Sequence, residues 1–247
     1  MRLLLCLIIT CFYGIIYYNY LNILLKDYME RRMIKIAPSI LAADFSKLES
    51  EILSVNAADY IHFDVMDGVF VPNISFGFPI LESVRKTTDM TLDVHLMIGT
   101  PSLYAARFAE AGGDIITFHV EAETPQSIRK AIDDIHRLGK KAGLTVKPDT
   151  PAEALLPYID SLDLVLVMTV EPGYGGQKFM PEMLPKVTRI REVIDSRGLD
   201  CELEVDGGIN LETSGLCIAA GANVLVAGVA VFRADDKDAY ISKLREA

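Results

Sequence analysis

From Ile34 to the C-terminus, short runs rich in β-branched residues alternate with longer amphipathic stretches, and the alternation repeats eight times. The runs are Ile34–Pro38, Tyr60–Asp64, Thr91–Leu96, Ile115–His119, Lys141–Val146, Leu164–Thr169, Glu202–Asp206 and Val224–Ala227. None shows strict apolar–polar alternation, which is the pattern of parallel strands buried on both faces. Parallel strands need long crossovers, and the intervening segments supply them. Helices are expected over Phe45–Val55 behind Asp44, Gln126–Leu138 behind Thr124-Pro125, Met180–Ser196, Leu211–Ala220 ending at Gly221, and from about Asp236 onward. No Pro/Ser linker, repeat array or low-complexity tract interrupts the series. Eight consecutive units favour a closed barrel over an open doubly wound sheet. The expected fold is an α/β, (β/α)₈ TIM barrel over residues 33–247, preceded by a hydrophobic N-terminal segment at 1–32.

That first segment obeys different rules. From Leu3 to Leu25 it is apolar apart from Thr10, Asn19, Asn22 and the tyrosine hydroxyls, and it exceeds the ~20 residues that a bilayer core requires. It is too long for a cleavable secretory signal and has no small-x-small site behind it. Lys26, Arg31 and Arg32 follow it, so an anchor would leave the remainder of the chain in the cytoplasm. The alternative is an over-extended reading frame, with translation starting at Met33 just before the first strand. Both readings give a cytoplasmic location. A membrane partner is expected only if the segment is retained.

The 247-residue chain has a net charge of −10. This argues against nucleic acid, whose phosphate backbone is held by clustered Lys and Arg. A single phosphate on a small substrate remains compatible, because backbone amides can hold it. Cys6, Cys11, Cys201 and Cys217 form no C-x-x-C pair. Reduced thiols, rather than disulfides or structural zinc, are expected. A homo-oligomer is expected.

In barrels of this kind the chemistry gathers at the C-terminal ends of the strands. His62 and Asp64 fall at the end of the second run and His95 at the end of the third. Asp206 closes the seventh, and Ser39 follows the first. His62 and Asp64 are two apart, so both project from one side of an extended strand. Buried imidazoles and carboxylates are costly unless paired or metal-bound. Two of each suit one divalent ion of the Zn, Fe, Mn or Co type. His119 reads as a polar neighbour of this group and His136 as a surface residue. Asp93, two before His95, reads either as a residue that orients His95 or as packing.

A second constellation is made of glycine. Gly173, Tyr174, Gly175 and Gly176 follow the sixth run, Gly207 and Gly208 the seventh, and Gly228 with Val229 the eighth. Glycines let backbone amides approach an anion closely, and barrel phosphate sites commonly use the loops after strands seven and eight.

Five segments carry a family resemblance: A-P-S-I-L-A-A-D-F from Ala37, H-F-D-V-M-D-G from His62, D-V-H-L-M from Asp93, M-T-V-E-P-G-Y-G-G-Q-K-F from Met168 and V-D-G-G-I from Val205. Together they resemble the ribulose-phosphate 3-epimerases. The resemblance implies a barrel that epimerises C3 of a ketopentose phosphate, D-ribulose 5-phosphate to D-xylulose 5-phosphate, in the pentose phosphate pathway. It implies His62, Asp64, His95 and Asp206 as metal ligands, with Asp64 and Asp206 as the acid/base pair across a 2,3-enediolate. Ser39 and His95 would contact substrate. The phosphate would rest on Gly173–Gly176, the Asp206–Gly208 turn and the Gly228–Val229 turn. Met66, Met97 and Met168 match methionines that line the reaction centre. From their chemistry alone, each is as readily core filler.

One departure stands out within the matched region. The family usually has Gly-Ser where this chain has Gly228-Val229, so a hydroxyl is missing beside the phosphate while the amide remains. An allulose 6-phosphate 3-epimerase is the nearest alternative. Gly173-Tyr174-Gly175-Gly176 and Asp206-Gly207-Gly208 favour the pentose enzyme. A binding protein on a catalytically retired barrel is opposed by the intact His/Asp set.

Overall fold

The computed structural model describes residues 33–247. The hydrophobic segment at 1–32, with Cys6 and Cys11, lies outside the described residues. Eight parallel strands run in spatial order β1-β8-β7-β6-β5-β4-β3-β2. They are β1 Lys35–Ala37, β2 Tyr60–Met66, β3 Thr91–Met97, β4 Ile115–His119, β5 Lys141–Val146, β6 Leu164–Met168, β7 Glu202–Asp206 and β8 Val224–Val226. A parallel bridge between Ser39 and His62 brings the first strand's end back to β2. Bonds from the Asp59 amide to the Ile36 carbonyl and from the His62 amide to the Pro38 carbonyl, both 3.0 Å, complete the seam. The expected barrel is present.

The helices among the described residues are α1 Leu48–Leu53, α2 Phe78–Thr87, α3 Pro101–Glu110, α4 Pro125–Arg137, α5 Leu184–Arg197, α6 Ser214–Ala220, α7 Val229–Phe232 and α8 Lys237–Arg245. In α4 the Thr124 hydroxyl caps the first turn by accepting from the Ser127 amide. Ile128, Ala131, Ile132 and Ile135 then recur at helical spacing and are buried, which is how the helix seats on the sheet. No helix of the described residues is long and apolar enough to cross a membrane.

The structure departs from the sequence expectations in three places. β2 and β3 continue to Met66 and Met97, so His62, Asp64 and His95 lie within their strands rather than at the ends. The reason for β2 is local: Ser75 folds back, its hydroxyl accepting from the Met66 amide and donating to the Asp64 carbonyl. The fifth crossover carries only two 3₁₀ turns, Ala152–Ala154 and Ile159–Ser161. Pro148, Pro151 and Pro157 deprive that stretch of the amides an α-helix would need. α1, α5 and α6 also start later than expected, α1 after a 3₁₀ turn at Phe45–Lys47 and α5 after one at Pro181–Met183.

Most of the core lies between sheet and helices. The barrel interior is split by chemistry. One part is apolar, with Leu164, Leu166, Met168, Val224 and Val226. Buried polar groups, including His62, Asp64, Asp93, His95, Thr117, His119 and Glu204, occupy β2, β3, β4 and β7. At the N-terminal end of the barrel, the Lys35 ammonium pairs with Glu202 and donates to the Tyr60 hydroxyl at 2.7 Å. Tyr60 donates in turn to Glu202 Oε2 at 2.8 Å. These three residues span β1, β2 and β7 at that end.

Candidate active site

The register of β2 against β3 pairs His62 with Asp93 and Asp64 with His95. Side chains two apart on a strand share a face, so the polar residues form two levels. Asp64, His95 and Asp206 occupy the upper level. His62 lies below them beside Asp93 and Glu204.

One ligand atom each from His62, Asp64, His95 and Asp206 lies within 4.8 Å of the others. Asp64 Oδ1 is central, 3.3 Å from His62 Nε2 and 3.2 Å from His95 Nδ1. Asp206 Oδ2 lies 4.0 Å from His95 Nδ1. The Ser39 hydroxyl donates to Asp64 Oδ2 at 2.7 Å, which fixes the carboxylate's orientation.

The expectation that Asp93 orients His95 needs correction. Asp93 Oδ2 meets His62 Nδ1 at 2.5 Å instead, because the strand register sets those two side by side. His95 finds a different support: its Nε2 lies 3.0 Å from His119 Nε2, and His119 Nδ1 lies 3.4 Å from Glu121 Oε2. His119 is thus tied directly to a site residue.

The charges are strongly asymmetric. Burial raises the Asp64 carboxyl, but His62 and His95 outweigh it and hold Asp64 well below the usual carboxylate range. Burial and the adjacent Asp64 charge push Asp206 up to about 6. His62 loses basicity to burial and regains more from Asp64 and Asp93, ending well above an ordinary imidazole. Burial drives His119 down to about 4, so this ring is neutral near pH 7.

These residues fit a divalent cation. His62 commits Nδ1 to Asp93, which leaves Nε2 fully buried, facing Asp64 and without a hydrogen-bond partner. Two imidazoles and two carboxylates are a donor set suited to first-row ions. A positive charge among them would also relieve the repulsion between Asp64 and Asp206.

Above this group opens a cavity of about 860 Å³, whose lining includes Ser39, Asp64, Asp206, Met66, Met97 and Met168. The same lining holds every glycine singled out from sequence, Gly173, Gly175, Gly176, Gly207, Gly208 and Gly228, together with Tyr174 and Val229. The tight turn after β7 requires its glycines. Gly207 and Gly208 have φ of 129° and 67°, and a Cβ on either would sit 2.5 Å from Val170 or Phe179. The loop after β6 is cross-tied: Gln177 donates to the Glu171 and Tyr174 carbonyls, and Asn73 donates to the Gly173 carbonyl at 2.9 Å.

The Ribulose-phosphate 3 epimerase family matches residues 35–232. The chain belongs to this family. A ribulose-phosphate 3-epimerase from Bacillus subtilis (strain 168) is 51% identical over 216 residues, covering 86% of this chain and 99% of the relative. The cytoplasmic isoform from Oryza sativa subsp. japonica is 43% identical, covering 86% of this chain and 93% of its own length. Among solved structures, the 3-keto-L-gulonate-6-phosphate decarboxylase from Vibrio cholerae superposes with a TM-score of 0.66. It is 15% identical and covers 87% of this chain and 96% of its own. At that identity the likeness speaks for the barrel alone. The ribulose-phosphate 3-epimerase family thus accounts for the segments quoted from sequence, from the first strand to the seventh.

Sequence reasoning passed over one residue that the site brings forward. Glu204 is fully buried, inward-facing and two residues before Asp206. The signal was present in E-V-D, where period two sets both acids on one face.

Proposed function

We propose that the chain interconverts D-ribulose 5-phosphate and D-xylulose 5-phosphate by inverting C3, and that residues 33–247 form the catalytic unit. The observation that carries this reading is the convergence of His62, Asp64, His95 and Asp206, of which Asp64 and Asp206 line a cavity that the glycine loops also line. One end of that cavity suits proton chemistry beside a cation, and the other suits a phosphate.

The substrate phosphate rests against the Gly173–Gly176 loop, the Gly207–Gly208 turn and the Gly228–Val229 turn, held by amides rather than by a basic cluster. This directs the sugar carbons toward the two aspartates. The hydrogen on C3 is acidic because it neighbours the C2 ketone, and its removal leaves an enediolate. A divalent ion (Zn, Fe, Mn or Co) held by His62, Asp64, His95 and Asp206 would supply Lewis acidity for the charge gathering on the sugar oxygens.

Inversion needs a second acid on the opposite face, because a single base would normally return the proton to the face it left. Asp64 and Asp206 serve as this pair and exchange roles with reaction direction. Asp206 is the weaker acid of the two, raised by burial and by the Asp64 charge, while His62 and His95 hold Asp64 low. Ser39 holds Asp64 in place, and His95 borders the substrate's reacting end. Met66, Met97 and Met168 give the floor an apolar lining that limits stray protonation of the enediolate.

The test is a coupled epimerase assay on protein of defined metal content, comparing kcat/KM for ribulose 5-phosphate and allulose 6-phosphate. A clear preference for the pentose is expected. Failure to turn over either sugar would refute the reading.

A further inference from the structure

Beneath the proposed cation site lies a second buried polar group that the proposed chemistry leaves unused. His62, Asp93 and Glu204 are each 0% exposed, and one ligand-type atom of each lies within 4.8 Å of the others. His62 Nδ1 is 2.5 Å from Asp93 Oδ2 and 3.8 Å from Glu204 Oε1. Asp93 Oδ1 and both oxygens of Glu204 have no hydrogen-bond partner. Buried polar atoms are rarely left unpaired, and each orphan normally has a reason.

His62 Nδ1 has a single hydrogen, and the short contact commits it to Asp93. A hydrogen held between the Glu204 carboxyl and Asp93 Oδ1 would pair one orphan oxygen of each residue. Asp93 then accepts twice, from His62 and from Glu204, and cannot rotate away from the imidazole.

We propose that Glu204 is a positioning residue: it fixes Asp93, which fixes the ring of His62, so that Nε2 points at Asp64. The inference rests on the cation site proposed above and extends its support one residue deeper, from β2 through β3 to β7. A chain of this kind, from ligand to carboxylate to a further donor, sets ring orientation and ligand basicity.

The test uses the full-length protein and two substitutions. Glu204→Gln keeps shape and can still donate to Asp93 through its amide. Glu204→Leu keeps bulk and removes the donor. Affinity for Co²⁺ is measured by titration against a competing chelator, with the visible spectrum of the bound ion recorded and Tm taken on metal-free protein. Glu204→Leu is expected to bind Co²⁺ about 10- to 100-fold more weakly with an altered spectrum. Glu204→Gln is expected to stay within a few-fold of the parent and to keep its spectrum.

Equal affinity and spectra in all three proteins would overturn the inference while leaving the cation site standing. Equal loss in both variants would also overturn it, since Gln supplies the required donor. A parent protein that takes up no divalent ion would overturn the cation site and this inference with it. Because Glu204→Gln is isosteric, the comparison survives a Leu variant that fails to fold: a folded Gln variant with lost affinity would refute the proposal alone.

Discussion

His62 and Asp93 meet at 2.5 Å across the β2–β3 pair, imidazole Nδ1 to carboxylate Oδ2, with both side chains sealed from solvent. The contact determines which nitrogen of His62 faces Asp64. Replacing Asp93 by alanine strands the Nδ1 hydrogen and frees the ring. Metal affinity is expected to fall by about 10- to 100-fold, read by competition against a chelator. Unchanged affinity would show that His62 is oriented by other means.

Asp64→Asn and Asp206→Asn each remove one member of the proposed acid/base pair with little change in shape. Turnover is expected to drop by about 10²- to 10⁴-fold, the usual worth of such a group, while circular dichroism stays that of a folded barrel. Exchange in D₂O separates the two faces. A variant with one working aspartate should still wash out the C3 hydrogen of one epimer faster than it forms the other. Near-normal epimerisation by either variant contradicts the pair.

Stripping divalent ions should abolish activity, and restoring one should recover it. Stability should follow: a ligand at 100 times its Kd adds about 2.7 kcal/mol to the native state, so Tm should rise on reloading. Full activity in protein shown to be metal-free rules out the Lewis-acid role.

Val229 stands where the family resemblance noted from sequence implies a serine. Val229→Ser returns a hydroxyl to the phosphate end of the cavity. A hydrogen bond to a charged group contributes about 1.5–3 kcal/mol, so KM and inhibition by inorganic phosphate should tighten by roughly tenfold or more, with kcat little changed. Gly208→Ala should act in the opposite sense, because its Cβ would sit 2.5 Å from the Phe179 backbone. A KM unaffected by either change would place the phosphate elsewhere.

Far from the site, Asp114 joins α2 and the start of β3 to the start of β5. It accepts from Lys140 at 2.7 Å, Arg85 at 2.8 Å and the Leu92 amide at 3.0 Å. Burial raises its carboxyl, but these partners outweigh burial and lower it. A lowered native value means that its stabilisation is complete above the ordinary carboxylate range, near pH 4, and is lost as pH falls through the native value. Asp114→Asn should therefore cost about 1 kcal/mol at pH 7, a modest figure because the side chain is 32% exposed. The cost should shrink in acid. Urea midpoints at both pH values test this, and a gap that widens in acid would reverse the assignment.

The sequence revealed more of the site than of its supports. His62 and Asp64 were legible because strand periodicity is two, and Gly207-Gly208 because few residues tolerate such a turn. Asp93's partner was not legible, since it depends on how β2 and β3 slide against each other, and one residue's offset would have exchanged His62 for another neighbour. Glu204 was hidden by its ordinary appearance: an acid beside valine looks solvent-facing until the neighbouring strands are in place. The missing fifth α-helix was written in Pro148, Pro151 and Pro157, whose effect is local.

The Lys35–Tyr60–Glu202 cluster gives the barrel a direction. Asp64 opens instead onto the cavity at the other end, and of two occupants entering that way the deeper would come first. On the reading proposed above, an ion would be seated before the sugar enters and would stay captive until the sugar departs. Chelators should accordingly strip the resting enzyme quickly and the substrate-saturated enzyme slowly.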